Sequence, residues 1–479
     1  MKLSPLLGLF CAAGHAQARA VFAHFMPEKV ANAANFTQDT WANDIKIAQE
    51  AHIDAFALNI GYGLHNYLDL LNDAFTVAHR HNFSMFLSFD MGQDPKWPAN
   101  EIIHVIDNYV TGTAYYRHRG DKPLVSTFEG GQNASLWRNV RNNTQSEFFF
   151  LPDWTSLGIK AAAASPVIDG LMSWTAWPAG AHAMNTSVDE AYVDALAGRP
   201  YIMPVSPWFY TNLPKFKKNW AWRGDELWYN RWQQVLDIDP EYVEIITWND
   251  YGESHYIGPM HEDDLGIFSI GHAPFNYAED MPHDGWRAFL PYMIDLYKSG
   301  GEDASLESEG VVAWYRVNPG SACSSGNTTA GDESGKGKTA SSPETIFQDH
   351  IFYTALLESP ADVRVSIGGK ETKGSWTDTP DEDEGMYYGS VPLDGETGEV
   401  IVTISRSDKT IAEMKGKSIT TDCKANGGFN NWNAWVGSAM AEDKTSGNSS
   451  DSSPKKSSSP STSRPTMALL LGMVLWAWL

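Results

Sequence analysis

The sequence predicts an α/β protein in which a (β/α)₈ TIM-type barrel precedes an antiparallel β-sandwich. Eight short apolar or β-branched runs alternate with longer mixed segments over about 280 residues, and neighbouring parallel strands need such crossovers. A doubly wound open sheet would give the same alternation, but no glycine-rich phosphate loop follows the first run, and eight strands close a barrel. After residue 300 the pattern changes to short alternating runs separated by Gly, Pro, Asp and Ser, which is typical of a β-sandwich.

The predicted barrel strands share a run of apolar residues bounded by turn residues. They are VFAHFM (21–26), DAFALNI (54–60), SMFLSFD (84–90), PLVSTFE (123–129), EFFFLPDW (147–154), GLMSWTAW (170–177), YIMPVSPW (201–208) and YVEIITWND (242–250).

Segments with helical spacing lie between these strands. The clearest begins at Thr37, where Thr37 and Thr40 offer a cap and Trp41, Ile45 and Ala48 recur on one face. Further helices are predicted over 65–82, 99–117, 185–198, 224–236 and 284–298. The barrel is therefore expected to cover residues 19–300.

The β-sandwich is expected over residues 301–440. Its predicted strands are SEGVVAWYRV, QDHIFYTALLE, ADVRVSIGGK, MYYGSVPL and EVIVTISR, and the Gly/Ser/Thr-rich stretch 321–342 is expected to be a long loop. Trp314, Trp432 and Trp435 are candidate aromatic platforms if this part binds a ligand, although bracing of the barrel is the favoured role.

Both ends of the chain carry processing signals. Residues 1–18 have one Lys, an apolar run and an A-x-A site, which predict a signal peptide cleaved before Arg19. Residues 467–479 form a hydrophobic tail too short to span a bilayer, and they follow a Ser/Pro-rich stalk predicted to be disordered over 441–466. This arrangement predicts a GPI-anchor signal on a secreted, cell-surface or cell-wall protein, with a poorly ordered tail as the alternative.

Cysteine usage and glycosylation sequons fit the secretory route. Cys11 leaves with the signal peptide, so Cys323 and Cys423 remain as a candidate disulfide in an oxidising compartment. Seven N-x-S/T sequons are candidate glycosylation sites. They are Asn35, Asn82, Asn133, Asn142, Asn185, Asn327 and Asn448.

Charge and motifs disfavour several kinds of partner. The net charge of −24, without a basic cluster, opposes binding to nucleic acid or to an anionic membrane, so membrane attachment is expected only through the C-terminal anchor. No nucleotide, redox cofactor or metal motif is found, and the one H-x-H, at His79 and His81, precedes a strand and so falls on the wrong face of the barrel. A monomer without a cofactor or metal is expected.

Candidate site residues come from the carboxyl ends of the predicted strands, where barrel enzymes carry their chemistry. A strand-end Asp often caps the next helix and a buried Trp often fills a core, but together these residues give a rim rich in acids and aromatic rings. The predicted substrate-binding residues are His24, Asn59, Asp90, Glu129, Asp153, Trp154, Trp174, Trp177, Trp208, Trp248 and His255.

Two carboxylates in ITWNDYGES, Asp250 and Glu253, form the candidate catalytic pair. Gly252 is expected to let the chain turn sharply so that both side chains face the barrel axis. Glycoside hydrolysis needs two such acids, one protonated toward the leaving oxygen and one ionised, while aromatic faces cover sugar rings. The alternative is a strand-end cap at Asp250 with Glu253 solvated beside it.

Long motifs resemble glycoside hydrolase family 71, the fungal α-1,3-glucanases also called mutanases. They include QEAHIDAFALNIG, FFFLPDW, YIMPVSPWFYT, KNWAWRGDELWYNRW and EIITWNDYGESHYIGP, and the resemblance covers roughly residues 21–435. It implies a catalytic barrel with a β-sandwich behind it, endo-type hydrolysis of α-1,3-glucan with inversion, and an acid pair at Asp250 and Glu253.

Glu253 is assigned as the general acid and Asp250 as the base. Burial against Trp248 or Tyr251, with the neighbouring negative charge, is expected to raise the pKa of the acid and give a bell-shaped activity profile below neutrality. Two other functions stay open: a non-catalytic glucan-binding wall protein, and a glycosidase of another linkage such as β-1,3-glucan.

Overall fold

The computed structural model describes residues 19–27, 36–63, 67–331 and 341–441. The predicted signal peptide, nearly all of the stalk, the hydrophobic tail, Asn35 and Asn448 lie outside these residues. Within the described ranges, no helix has both the length and the apolar character that crossing a bilayer demands.

Strands of the first part follow the predicted order, with extra strands between them. They are β1 (Ala20–Phe25), β2 (Ala55–Gly61), β3 (Ser84–Asp90), β4 (Arg117–His118), β5 (Lys122–Phe128), β6 (Phe149–Phe150), β7 (Leu171–Met172), β8 (Tyr201–Val205), β9 (Phe209–Leu213), β10 (Lys218–Trp222) and β11 (Tyr242–Ile245).

These strands build a curled, mostly parallel sheet in the order β5, β3, β2, β1, β11, β8, β7. Strand β6 pairs in parallel with β5, and β4 pairs antiparallel with it. Asp153 makes isolated parallel bridges to Phe128, at the end of β5, and to Met172 in β7. Their pairing places the carboxyl ends of β1, β2, β3, β5, β8 and β11 at one edge of the molecule.

Four predicted strands are shorter than expected. The runs 147–154 and 170–177 keep only β6 and β7, the run 242–250 ends at Ile245, and the run 201–208 ends at Val205 before a separate strand, β9. Pro152 and Pro207 have no N–H to continue a ladder. Asp250 donates its N–H to Thr247 Oγ1 (2.9 Å) instead of a neighbouring strand.

Helices connect the strands and bury one face each. They are α1 (Gln38–Glu50), α2 (Tyr67–His81), α3 (Ala99–Tyr109), α4 (Ala134–Asn143), α5 (Ile159–Ala163), α6 (Ser187–Leu196), α7 (Leu227–Ile238), α8 (Gly266–Ile270) and α9 (Leu290–Ser299). The predicted cap of α1 is confirmed, because the side chains of Thr37 and Thr40 form a reciprocal capping box. Short 3₁₀ turns occupy Gly131–Asn133, Thr155–Leu157, Pro214–Phe216, Tyr251–Glu253, Glu262–Leu265, Asp284–Arg287, Pro343–Thr345 and Lys424–Asn426.

A β-hairpin that was not predicted, made of β9 and β10, is inserted after β8. A third strand from the C-terminal part of the chain, β13 (Thr329–Ala330), pairs in parallel with β10 at Trp220 and Ala221. Strand β13 lies inside the stretch expected to be a long loop, so part of that stretch is an ordered support for the hairpin.

The C-terminal part holds two antiparallel sheets. Their further strands are β12 (Gly310–Tyr315), β14 (His350–Leu357), β15 (Asp362–Ile367), β16 (Lys370–Lys373), β17 (Trp376–Asp378), β18 (Gly385–Pro392), β19 (Gly398–Arg406), β20 (Lys409–Ile419) and β21 (Trp435–Met440). The sheet orders are β17, β18, β14, β12, β21 and β16, β15, β19, β20. Apolar side chains of both sheets share one buried cluster.

The two parts pack through large aromatic side chains. Trp208 donates to the carbonyl of Trp432 (2.9 Å), and Trp314 donates to the carbonyl of Asp225 (2.7 Å). Trp314 and Trp432 are fully buried, so they are packing residues and not exposed glucan platforms. Trp435 is only partly exposed and contacts the ring of Tyr315.

Candidate active site

The acidic turn, residues 250–255, follows β11 and brings three polar side chains close together. Asp250 caps the 3₁₀ turn by accepting the N–H of Glu253 at Oδ1 (3.0 Å). Ser254 has φ of 59°, a left-handed conformation that reverses the chain between Glu253 and His255. One ligand atom each of Asp250, Glu253 and His255 therefore lies within 4.8 Å of the others.

Gly252 has a different role from the one predicted. The sharp turn falls at Ser254, whereas a Cβ at Gly252 would stand 3.1 Å from Ile267 Cγ1 and 3.3 Å from Leu213 Cδ1. A side chain at residue 252 would crowd these two residues, so the glycine suits the close packing of β9 and α8 against the turn.

Glu253 is held by two donors, one on each carboxylate oxygen. Lys218, on β10, forms an ion pair with Oε1, and His255 Nε2 lies 3.0 Å from Oε2. The Lys218 and Glu253 side chains are 16% and 15% exposed, so water screens this pair only weakly. Sequence reasoning missed Lys218 because the hairpin was not predicted; the alternation of Lys218, Trp220 and Trp222 was the available signal.

The predicted rise in the pKa of Glu253 is wrong for this structure. Burial by itself would raise the pKa, but Lys218 and His255 outweigh it and hold the pKa well below its usual range. Glu253 is therefore ionised at neutral pH in the substrate-free protein.

The same two carboxylates and imidazole have the spacing of a cation site. The ammonium of Lys218 already balances the charge of Glu253 at this position, and a second cation beside it would be repelled. The residues are thus better suited to proton transfer than to metal binding.

His24, near the end of β1, has a buried side chain with two close contacts. Its Nδ1 is 2.7 Å from Oε1 of Glu244, a buried acid of β11. The ring of His24 also meets Trp174 edge to face at 4.9 Å. These contacts fix the orientation of the imidazole, next to the partly exposed Trp174.

Asp90 ends β3 and faces His24. Burial raises the pKa of Asp90 to about 6, while hydrogen bonds from Gly92 and Gln93 and the charge of His24 act in the opposite direction. Asp90 Oδ1 accepts the N–H of Gly92 at 2.8 Å. Among the predicted site residues, Asp90 is a carboxyl that can be protonated just below neutral pH.

Asp153 and Glu129 form a second acidic pair on the neighbouring strands. Burial, followed by the charge of Glu129, raises the pKa of Asp153 to about 7. Asp153 accepts from the N–H and hydroxyl of Thr155 at 3.0 and 2.6 Å, and the same hydroxyl oxygen accepts the N–H of Trp174. Glu129 has a left-handed φ of 56° and accepts a hydrogen bond from Ser156.

Asn59 is buried on β2, and its Nδ2 has no hydrogen-bond partner within the described ranges. Buried amide donors are normally paired, so this atom is a candidate for contact with a substrate hydroxyl.

Aromatic side chains divide into two groups. Trp174, Trp220 and Trp222 are partly exposed, and Trp177, itself mostly buried, stacks on Trp222 at 5.1 Å and lies 5.4 Å from the ring of His255. Trp177 and Trp222 therefore form an aromatic wall beside His255 of the acidic turn.

Trp154, Trp208 and Trp248 belong to the core, so the prediction that they contact substrate is wrong for this structure. All three are at most 1% exposed. The indole N–H of Trp248 donates to the buried carboxylate of Asp44 at 3.0 Å, so its hydrogen-bond partner lies inside the protein.

The cysteines and sequons can also be located. Cys323 and Cys423 are joined in a disulfide with a Cα–Cα distance of 6.4 Å. Five candidate sequon asparagines fall on described residues and are exposed: Asn82, Asn133, Asn142, Asn185 and Asn327.

Comparison with known proteins adds to this geometry. The model of glycosyl hydrolase family 71 matches residues 17–449. The chain is 32% identical over 434 residues to a mutanase of Penicillium rubens, with 88% of this chain and 89% of the relative covered. It is 31% identical to the glucan endo-1,3-alpha-glucosidase agn1 of Schizosaccharomyces pombe (87% and 94% covered) and 26% identical to the ascus wall endo-1,3-alpha-glucanase of the same yeast (73% and 82% covered).

Proposed function

The chain belongs to glycosyl hydrolase family 71, and we propose that it is an endo-acting hydrolase of α-1,3-glucosidic bonds in α-1,3-glucan. The observation that carries the proposal is the acidic turn, which brings Asp250 and Glu253 together at the carboxyl end of β11 inside the matched region.

Asp250 and Glu253 are proposed as the catalytic pair. A glycoside hydrolase needs one carboxyl that protonates the leaving oxygen and one that activates water or attacks the sugar. Their closeness, with Lys218 and His255 on Glu253, supports proton transfer at this turn. His24, Asn59, Asp90, Glu129, Trp174 and Trp177 are proposed to line the substrate site, and Asp153 to support it through Thr155.

Inversion of the anomeric configuration is also proposed, as the family resemblance implies. Inverting enzymes have carboxyl groups roughly 6.5–9.5 Å apart to admit a water. One oxygen of Asp250 and one of Glu253 lie within 4.8 Å of each other, so the proposal of inversion rests on the family resemblance and not on this distance. ¹H NMR of the first product distinguishes the outcomes: a β-anomer supports inversion, and an α-anomer contradicts it.

The finer architecture is proposed as a closed (β/α)₈ barrel with a C-terminal β-sandwich. The bridges of Asp153 to Phe128 and Met172 support closure between β5 and β7. The shared apolar cluster of the two antiparallel sheets supports the sandwich.

A secreted, glycosylated and surface-anchored monomer is proposed for the mature protein. The disulfide and the exposed sequons support an oxidising secretory route. The signal peptide and anchor signal are proposed from residues 1–18 and 467–479 of the sequence.

The deciding experiment measures reducing-sugar release from insoluble α-1,3-glucan, with β-1,3-glucan and α-1,4-glucan in parallel. Wild type, Asp250→Asn and Glu253→Gln are compared, with Glu50→Gln as an exposed control on α1. We expect release from the α-1,3 polymer alone, with both site variants slowed by several orders of magnitude and the control unchanged.

The two alternatives are outcomes of the same assay. Binding to α-1,3-glucan without release would favour a non-catalytic wall protein. Preferential release from β-1,3-glucan would favour a glycosidase of that linkage.

A further inference from the structure

We propose that Lys218 is a positioning residue that sets the charge and the orientation of Glu253. The hairpin of β9 and β10 holds Lys218 in the position where it can do so. The inference rests on the proposed catalytic role of Glu253.

Contacts at Glu253 leave little freedom for its carboxylate. Lys218 Nζ binds Oε1 and His255 Nε2 lies 3.0 Å from Oε2, so both oxygens have a partner. Because a carboxylate with two polar partners is fixed in rotation as well as in position, loss of Lys218 frees one oxygen.

Titratable groups around Glu253 are few. The elements packed against its 3₁₀ turn are β9 (FYTNL) and α8 (GIFSI), and neither sequence contains a charged side chain. The groups facing Glu253 from the described residues are Lys218, His255 and Asp250, with the Tyr277 hydroxyl bonded to the backbone between the two acids. Lys218 supplies the permanent positive charge of this set.

A chain of hydrogen bonds through His255 and Thr247 connects the Glu253 carboxylate to the backbone of Asp250. An ionised Glu253 only accepts, so His255 Nε2 must donate, and Nδ1 of a neutral His255 then accepts from the Thr247 hydroxyl at 3.1 Å. Thr247 Oγ1 in turn accepts the N–H of Asp250 at 2.9 Å. The tautomer of His255 and the position of Asp250 thus depend on the ion pair at Lys218.

Rigid support holds Lys218 in place. The next residue, Asn219, donates to the carbonyl of Gly326 (2.9 Å) and accepts from the Thr328 hydroxyl (2.7 Å). Trp220 and Ala221 pair with β13. A lysine side chain loses conformational entropy when it forms an ion pair. Because the backbone of β10 is already held in place, only the side chain of Lys218 has to be ordered.

The test compares pH profiles of kcat/KM on a soluble α-1,3-gluco-oligosaccharide. Lys218→Met removes the charge, Lys218→Arg keeps it, and Lys217→Met alters the adjacent exposed lysine as a control. An adjacent cation lowers a carboxyl pKa, so Lys218→Met should move the limb that Glu253 controls to higher pH by about one to three units. The arginine variant should shift less, and the control not at all.

The direction of change also assigns the role of Glu253. If Glu253 acts in its ionised form, the apparent pKa of the acidic limb increases and activity at low pH is lost. If Glu253 acts in its protonated form, the apparent pKa of the basic limb increases and the enzyme stays active to higher pH. Either shift supports the proposal. A profile of wild-type shape in Lys218→Met overturns it, and the proposed function would still stand if Glu253→Gln is inactive.

A second measurement does not depend on activity. Thermal midpoints of Lys218→Met, Glu253→Gln and the double variant form a mutant cycle. We expect Lys218→Met to change the midpoint several-fold less in the Glu253→Gln background than in wild type. Additive effects of the two substitutions would overturn the ion pair on which the inference depends.

Discussion

At the scale of the residue, acids in this protein are tuned in opposite directions by their neighbours. Glu253 meets a lysine and a histidine, which keep it ionised, whereas Asp153 meets Glu129 in a fully buried setting, which favours its protonated form. Both residues are acids at strand ends in the sequence, so their charge states follow from contacts across strands.

Asp153 makes the stability of the protein depend on pH. Its pKa rises from an ordinary 3.8 to about 7 on folding, so the folded state binds more protons than the unfolded state between these values. This contribution to stability is complete below about pH 4 and is lost as the pH rises through about 7. Asp153→Asn removes the titration and should gain stability over wild type across this window, by at most about 4 kcal/mol.

Chemical unfolding at pH 4.5 and pH 8 measures this gain. Asp303→Asn, on an exposed aspartate, is the control and should show no such difference between the two pH values. If the free energies of unfolding of Asp153→Asn and wild type differ by the same amount at pH 4.5 and at pH 8, Asp153 is ionised in the folded protein.

At the scale of the element, one hydroxyl joins the hairpin to the acidic turn. Tyr277 donates to the carbonyl of Gly252 at 2.6 Å and accepts the N–H of Asn212, in β9, at 3.1 Å. The hairpin that carries Lys218 and the turn that carries Glu253 are thus held in register by a buried side chain.

Tyr277→Phe should lower both stability and activity. Two buried backbone groups lose their partner, which costs about 1–3 kcal/mol each, and the distance between Lys218 and Glu253 is no longer held. Tyr297→Phe is the matched control, because its buried hydroxyl donates to Pro240, outside the site. We expect both variants to unfold earlier and only Tyr277→Phe to lose kcat; equal activity of the two would contradict the coupling.

At the scale of the whole molecule, the C-terminal part takes part in building the site. Residues 321–331 contain Cys323, pair with residues 428–430 through Ser324, and end in β13 against the hairpin. The disulfide to Cys423 therefore anchors the strand that supports Lys218.

Replacing both cysteines with serine tests this connection. Loss of a cross-link between residues 100 positions apart should lower the free energy of unfolding by about 2–5 kcal/mol, because the unfolded chain gains freedom. The looser support of β10 should also reduce kcat/KM. Denaturant titration and initial rates measure the two effects, and unchanged rates in a destabilised variant would mean that β13 alone holds the hairpin.

Much of the fold was predictable from periodicity. Buried strands such as β2 and β3, and the capped helix α1, have local patterns strong enough to specify them. The hairpin was missed because β9 continues the apolar run of β8 and β10 mixes Lys, Asn and Trp. Strands β6 and β7 are short because Pro152 has no N–H for a ladder and the N–H of Trp174 is bonded to the Thr155 hydroxyl oxygen.

The candidate site was predictable in its acids and only partly in its aromatic rings. Strand-end positions identify Asp90, Asp153, Asp250 and Glu253, because a parallel sheet gathers them at one edge. Trp174 is partly exposed and Trp248 is buried, but both follow similar apolar runs in the sequence, so no local signal predicts which of them is exposed.

Residue type, spacing and long motifs are enough to predict the α/β order and the candidate acid pair and to identify the family. The folded chain reveals that Lys218 meets Glu253, that Trp154, Trp208 and Trp248 lie in the core, and that residues 321–331 support the hairpin. These features could not be predicted because spacing acts over a few residues, whereas the charge state of a carboxylate depends on which cation the fold places against it.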